Sequence, residues 1–135
     1  WLSLFCGFVW GSISDSIGRK WALAIVYIIQ AVSFALFGLW TTPSGFLVSA
    51  LLFGFTAWSI PAIMAAACGD MLGSALAPAA LGFITLFFGI GQAVGPSVAG
   101  MLADKTGSFT PAFLVASCAA VLGAVGSVFL KPGNE

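Results

Sequence analysis

Asp15, Arg19 and Lys20 are three of only eight formally charged residues in a chain of 135, and they fall within ten positions, "GSISDSIGRK", framed by Gly11 and Gly18. The chemistry open to such a group is ionic and reversible. Asp15 can accept hydrogen bonds at a helix N-terminus, where the helix dipole favours an anion by about 0.3–1 kcal/mol, more when partly buried. Gly18 supplies a turn conformation closed to bulkier residues, and Gly11 lets two helices approach closely. A plainer reading stands beside this one, with Arg19 and Lys20 as anchors at a membrane edge and Asp15 as a helix-end cap. A charge at the bilayer centre is disfavoured by about 2.5–3.5 kcal/mol on insertion scales, so the loop belongs at the edge in either case.

Other chemistries find little support. The chain has no His, no carboxylate pair within an apolar run and no metal-ligand spacing, so an enzyme, a metal site and a cofactor are not expected. Cys6, Cys68 and Cys118 are odd in number and lie in or beside apolar runs, where cysteine behaves as a small hydrophobe. Net charge is zero and the four basic residues make no patch, which argues against nucleic acid. "GIGQAVG" spaces its glycines G-x-G-x-x-x-G, which is not the dinucleotide-binding pattern, and no strand adjoins it.

The elements that must hold the charged loop follow from hydropathy. The composition is 61% hydrophobic and 6% charged, against about 25% charged for soluble domains. About 20 apolar residues cross a bilayer core as a helix, whereas transmembrane strands are shorter and alternate apolar with polar. The expected fold is therefore all-α: a bundle of transmembrane helices with spans near residues 1–13 (truncated), 21–40, 46–68, 79–103 and 109–130. Trp21 and Trp40 bracket the second span as interfacial aromatics do. Thr110 and Pro111 suit a helix start, a hydroxyl cap followed by a fixed φ. Arg19, Lys20 and Lys131 fall on one side and Lys105 on the other, which places the charged loop and the C-terminus in the cytoplasm of a multi-pass protein of the cell membrane, of the bacterial inner-membrane type.

The span 79–103 carries a second pattern, "GIGQAVGPSVAG". Gly91, Gly95, Ala99 and Ala103 recur every four residues, a small-residue stripe that lets membrane helices pack closely, and Pro96 removes a helix hydrogen bond and is expected to kink the helix. Generic tight packing would give the same stripe.

Two motifs now stand in order. G-x-x-x-D-x-x-G-R-K at Gly11, Asp15, Gly18, Arg19 and Lys20 resembles the cytoplasmic signature loop of the major facilitator superfamily (MFS), with Ser16 where the family often has Arg or Lys. Gly91, Gly95, Pro96 and Gly100 resemble its glycine–proline helix, G-x-x-x-G-P-x-x-x-G. The resemblance implies part of a twelve-helix MFS fold, in which the aspartate and arginine latch the two halves on the cytoplasmic side in the outward-facing state. The motif order assigns the chain to one six-helix half without its first helix. The lack of an arginine in 46–68 and the polar end "KPGNE" favour the second half, the end of helix eight and helices nine to twelve.

In that family the fourth and fifth helices of each half line the central cavity. On that basis Gln92, Trp58, Thr56 and Ser59 are candidate substrate-cavity residues. Each also has a structural alternative: Gln92 as a helix–helix hydrogen bond, Trp58 as core packing. Gln30, on a peripheral helix, reads as structural. No charged residue lies mid-span, so a proton-coupling carboxylate is not expected in this segment; Asp70 is its only weak reserve, because a linker acid at the cytoplasmic edge is usually only solvated. The expected function is a secondary active transporter moving a small molecule by alternating access. Its partners are that substrate, with or without a coupling proton or ion, the lipid bilayer and a missing N-terminal half. The alternative is a non-transporting membrane scaffold or binding subunit.

Overall fold

The computed structural model describes residues 2–130; Trp1, Lys131 and the polar C-terminal tail lie outside the described residues. Within them the chain forms five helices and no strand: α1 (Leu2–Ile17), α2 (Arg19–Leu39), α3 (Pro43–Thr56), α4 (Ser59–Thr106) and α5 (Thr110–Val128). Helix α2, helix α5 and the run Pro43–Thr106 are each long and apolar enough to cross a membrane. The bundle is an all-α membrane fold, and its many exposed Phe, Leu, Val and Ile side chains suit a lipid solvent.

Helix α4 has 48 residues, about 72 Å at 1.5 Å per residue, more than twice a hydrocarbon core of about 30 Å. It is two limbs joined at Gly73, whose φ of 70° and ψ of 172° are non-helical. The first limb (59–72) carries Asp70 to Arg19 at one end of the bundle. The second limb (74–106) returns to the opposite end, where Thr110 Oγ1 donates to the Gly38 carbonyl at 2.9 Å. The sharp bend is at Gly73, whereas Pro78 and Pro96 sit inside the helix with helical dihedrals around them. Pro96 therefore does not break the second limb.

The stretch expected as the span 46–68 is interrupted at Ala57 and Trp58, where α3 stops and α4 starts. Pro61 explains the break: it offers no N–H to the Ala57 carbonyl four residues back, and its ring crowds that carbonyl. Neighbouring helices meet the freed groups. Cys6 Sγ accepts the Trp58 N–H at 3.2 Å, Trp10 Nε1 donates to Phe55 O at 3.0 Å, and Gln30 Nε2 donates to Thr56 O at 3.3 Å. Cys6 and Trp10 also join Ala22, Leu23, Val26 and Ile63 in the buried core.

Helix α2 is the centre of the bundle and packs most extensively on α5. Glycines allow that approach: a Cβ on Gly123 would lie 2.9 Å from the Tyr27 ring, and one on Gly38 would lie 3.2 Å from Phe113 Cβ. Hydroxyls tie α2 to both neighbours, Ser117 Oγ of α5 to Ala31 O at 2.7 Å and Ser33 Oγ to Ser49 O of α3 at 2.8 Å, each worth roughly 0.6 kcal/mol in a membrane.

The helix starts are local chemistry. Thr42 Oγ1 accepts from Gly45 N at 3.3 Å, with Pro43 in the first turn, and so caps α3. Thr110 is not the cap expected for α5. It is already helical, its hydroxyl reaches Gly38, and Ser108 Oγ accepts the Thr110 N–H at 3.1 Å. A Cβ at Gly45 would collide with the Trp40 carbonyl oxygen and indole. Gly45→Ala is accordingly expected to destabilise the α2–α3 turn by about 1–3 kcal/mol, the usual range for overpacking, read as a lower thermal midpoint of the detergent-purified protein.

Candidate functional site

The charged loop forms the junction of α1 and α2. Helix α1 ends at Ile17, and Gly18 follows with φ 89°, a left-handed value that favours glycine. The Gly18 N–H donates to Ser14 O at 3.1 Å and Ala22 N donates to Gly18 O at 3.1 Å, so the chain reverses in a single residue. That reversal folds Arg19 back over the end of α1. Its Nη1 pairs with Asp15 Oδ1 and donates to Ser14 Oγ, and its Nε donates to Asp70 Oδ2 at 2.7 Å.

One guanidinium thus binds two carboxylates from separate parts of the chain. Asp15 lies four residues before it, and Asp70 lies 51 positions on, near the end of the first limb of α4. The side chains of Asp15 and Asp70 are 63% and 53% exposed and that of Arg19 is 23% exposed, so the cluster sits at the wet end of the bundle. Burial disfavours the Arg19 charge, but hydrogen bonds and attraction from Asp70 and Asp15 outweigh it and hold the pKa above its ordinary value. The cation persists at any working pH, and the cluster opens by separating its partners rather than by deprotonating arginine. Lys20 lies outside it, its Nζ 5.2 Å from the centre of the Trp21 ring.

Asp70 is the residue that the sequence reading undervalued. It is not merely solvated; it is the long-range partner of Arg19. Gly11 departs from expectation in the other direction, because a Cβ there would meet nothing within 4 Å, so it marks no close helix approach within this chain. The close approaches in this region are at Gly7, where a Cβ would lie 3.5 Å from Trp58 O.

The second motif lies on the second limb of α4. Gly91, Gly95 and Pro96 are exposed and Gly100 is partly so, and a Cβ on any of the three glycines would meet nothing within 4 Å. Gln92 is exposed on the same limb. Pro96 also leaves the Gln92 carbonyl without its intrahelical donor, so residue 92 offers both a side-chain amide and a backbone acceptor.

The remaining cavity candidates separate. Trp58 is 58% exposed at the helix break. Thr56 and Ser59 are fully buried, and their hydroxyls bond to backbone: Thr56 Oγ1 donates to Leu52 O at 3.1 Å, and Ser59 Oγ donates to Thr56 O. The two residues flank the break, one at the end of α3 and one at the start of α4. A cavity of about 500 Å³ lies at the opposite end, lined by Phe37, Phe46, Phe109 and Phe113 with Thr41, Ser108 and Thr110; it includes none of the four candidates. No cluster of His, Cys, Asp or Glu able to hold a metal occurs among the described residues.

The family model described as "Uncharacterised MFS-type transporter YbfB" covers residues 2–127. No curated protein and no solved structure matches the chain.

Proposed function

The chain belongs to the major facilitator superfamily of membrane transporters, and we propose that it forms most of one six-helix half, read as the second, of a secondary transporter that moves a small molecule by alternating access. The Asp15–Arg19–Asp70 cluster is its cytoplasmic latch. The observation that carries this reading is the 2.7 Å pair between Arg19 Nε and Asp70 Oδ2. It joins a loop fixed to α1 and α2 with a limb bounded by two departures from the helix, the Ala57–Trp58 break and Gly73. A latch needs a bond strong enough to favour one state and wet enough to break, and a half-exposed pair meets both needs.

The exposed second limb, with its glycine–proline motif at Gly91, Gly95, Pro96 and Gly100, is the surface offered to the missing half. Gln92 and Trp58 are the residues this half contributes to the cavity, an uncharged amide and an aromatic face. No Asp, Glu, Lys or Arg lies mid-span in the described residues. A coupling carboxylate, if protons drive transport, therefore lies outside this segment. The protein works in the cell membrane, with the charged loop on the cytoplasmic side.

The test is Asp15→Asn in the full-length protein reconstituted in liposomes. Membrane insertion is expected to be unchanged and substrate flux to fall about fivefold, since an exposed ion pair contributes roughly 1 kcal/mol. Full flux by that variant removes the latch role, and absence of flux by the parent protein favours the scaffold.

A further inference from the structure

Arg19 has a third partner, and it is the one shielded from water. Ser14 is 1% exposed, against the half-exposed carboxylates of Asp15 and Asp70. Its hydroxyl donates to Gly11 O at 2.7 Å and accepts from Arg19 Nη1. A serine hydroxyl has a single proton. With that proton committed to Gly11, the oxygen lone pairs face the guanidinium, and Ser14 acts toward Arg19 as a fixed acceptor. Its backbone carbonyl holds the same hairpin by accepting from Gly18 N.

We infer that Ser14 is a positioning residue for the latch, which keeps the Arg19 guanidinium oriented with Nε aimed at Asp70 whether or not Asp70 is present. This rests on the latch reading above. Ser14, Asp15 and Arg19 belong to one hairpin, so their contacts survive when the first limb of α4 moves. Asp70 is the part that arrives and leaves. A free arginine would have to give up its rotamer freedom each time the latch closed. Held by Ser14, it has given up that freedom already, and closing orders only the aspartate. Asp15 cannot do this alone, because its exposed carboxylate exchanges the same N–H with water.

The experiment uses the full-length transporter with spin labels at Ser16→Cys and Ser74→Cys, which straddle the latch, in a Cys118→Ala background that removes the exposed native thiol of this half. Other reactive cysteines of the protein are replaced as well. Distance distributions give the ratio of latched to unlatched molecules. Ser14→Ala is expected to shift that ratio about five- to tenfold toward unlatched, and to have no further effect once Asp70→Asn is present, since Ser14 acts only by aiming Arg19 at Asp70. An undiminished Ser14→Ala shift in the Asp70→Asn background shows a merely structural serine and overturns the inference. A ratio moved by Asp70→Asn but not by Ser14→Ala also overturns it, while the latch stands. A ratio unmoved by Asp70→Asn overturns the latch and the inference with it. The thermal midpoint of each variant, measured alongside, identifies any that fail to fold.

Discussion

Arg19→Gln in the full-length protein is expected to lower transport by on the order of tenfold to a hundredfold while leaving the helices inserted. Charge-assisted hydrogen bonds are worth about 1.5–3 kcal/mol each, and Arg19 makes them to Asp15 and to Asp70. Both carboxylates are more than half exposed, which pulls each interaction down toward the roughly 1 kcal/mol of a surface pair. Two such interactions lost together still move a two-state equilibrium by at least about a factor of ten. The like charges of Asp15 and Asp70 are then left together without their cation, which further favours separation.

Arg19→Lys is the sharper variant, because it retains the charge. The structure uses the guanidinium fork, with Nε serving Asp70 and Nη1 serving both Asp15 and Ser14. An ammonium is a single point and cannot span those positions at once. Arg19→Lys is therefore expected to behave much more like Arg19→Gln than like the parent. Flux into proteoliposomes, normalised to reconstituted protein, reads both. If lysine restores full transport, charge alone is what matters and the fork geometry is irrelevant. The latch should also weaken as salt rises from about 0.1 to 1 M, since the Debye length falls from about 10 to 3 Å and both acids are exposed to it.

How much of this site was legible beforehand differs residue by residue, for physical reasons. Asp15, Gly18 and Arg19 stood out because charge is scarce in a lipid-solvated chain, and a left-handed turn has few residues that tolerate it. Asp70 did not, because its partner lies 51 positions away and no local spacing announces a contact made by tertiary folding. A signal did exist: Pro61 and Gly73 punctuate the sequence on either side of Asp70 and delimit a limb of fixed length. A helical wheel drawn through residues 46–68 puts Thr56 and Ser59 on a shared face, but a proline at 61 frees the carbonyl at 57 and the helix breaks between them. That the apolar runs are helices was readable from hydropathy, but their ends were not: α4 runs 48 residues through a bend at Gly73. The partner of Gly91, Gly95 and Gly100 was not readable, because nothing among the described residues lies within 4 Å of a Cβ placed on them.

The break at Ala57–Trp58 yields the second large effect. In lipid, an unsatisfied backbone group is disfavoured by several kcal/mol, and here Trp10 and Gln30 supply donors to the Phe55 and Thr56 carbonyls. The double variant Trp10→Phe, Gln30→Leu withdraws both. At about 1–3 kcal/mol per orphaned buried acceptor, it is expected to lose roughly 2–5 kcal/mol, discounted because Ser59 Oγ still donates to Thr56 O. That is enough to cut sharply the monodisperse fraction recovered after detergent extraction. Adding Pro61→Ala should reverse much of the loss. Without the ring the helix can close across 57–58, so that Ser59 N reaches Phe55 O and Ile60 N reaches Thr56 O, and the side-chain donors become dispensable. Transport should not return with stability. Closing the helix changes the direction in which residues 59–72 leave α3, which is expected to draw Asp70 away from Arg19. Recovery of folded protein without recovery of flux is the expected signature. If Pro61→Ala leaves the double variant as unstable as before, the proline is not what holds the helix open; if it restores flux as well, the break plays no part in setting the latch.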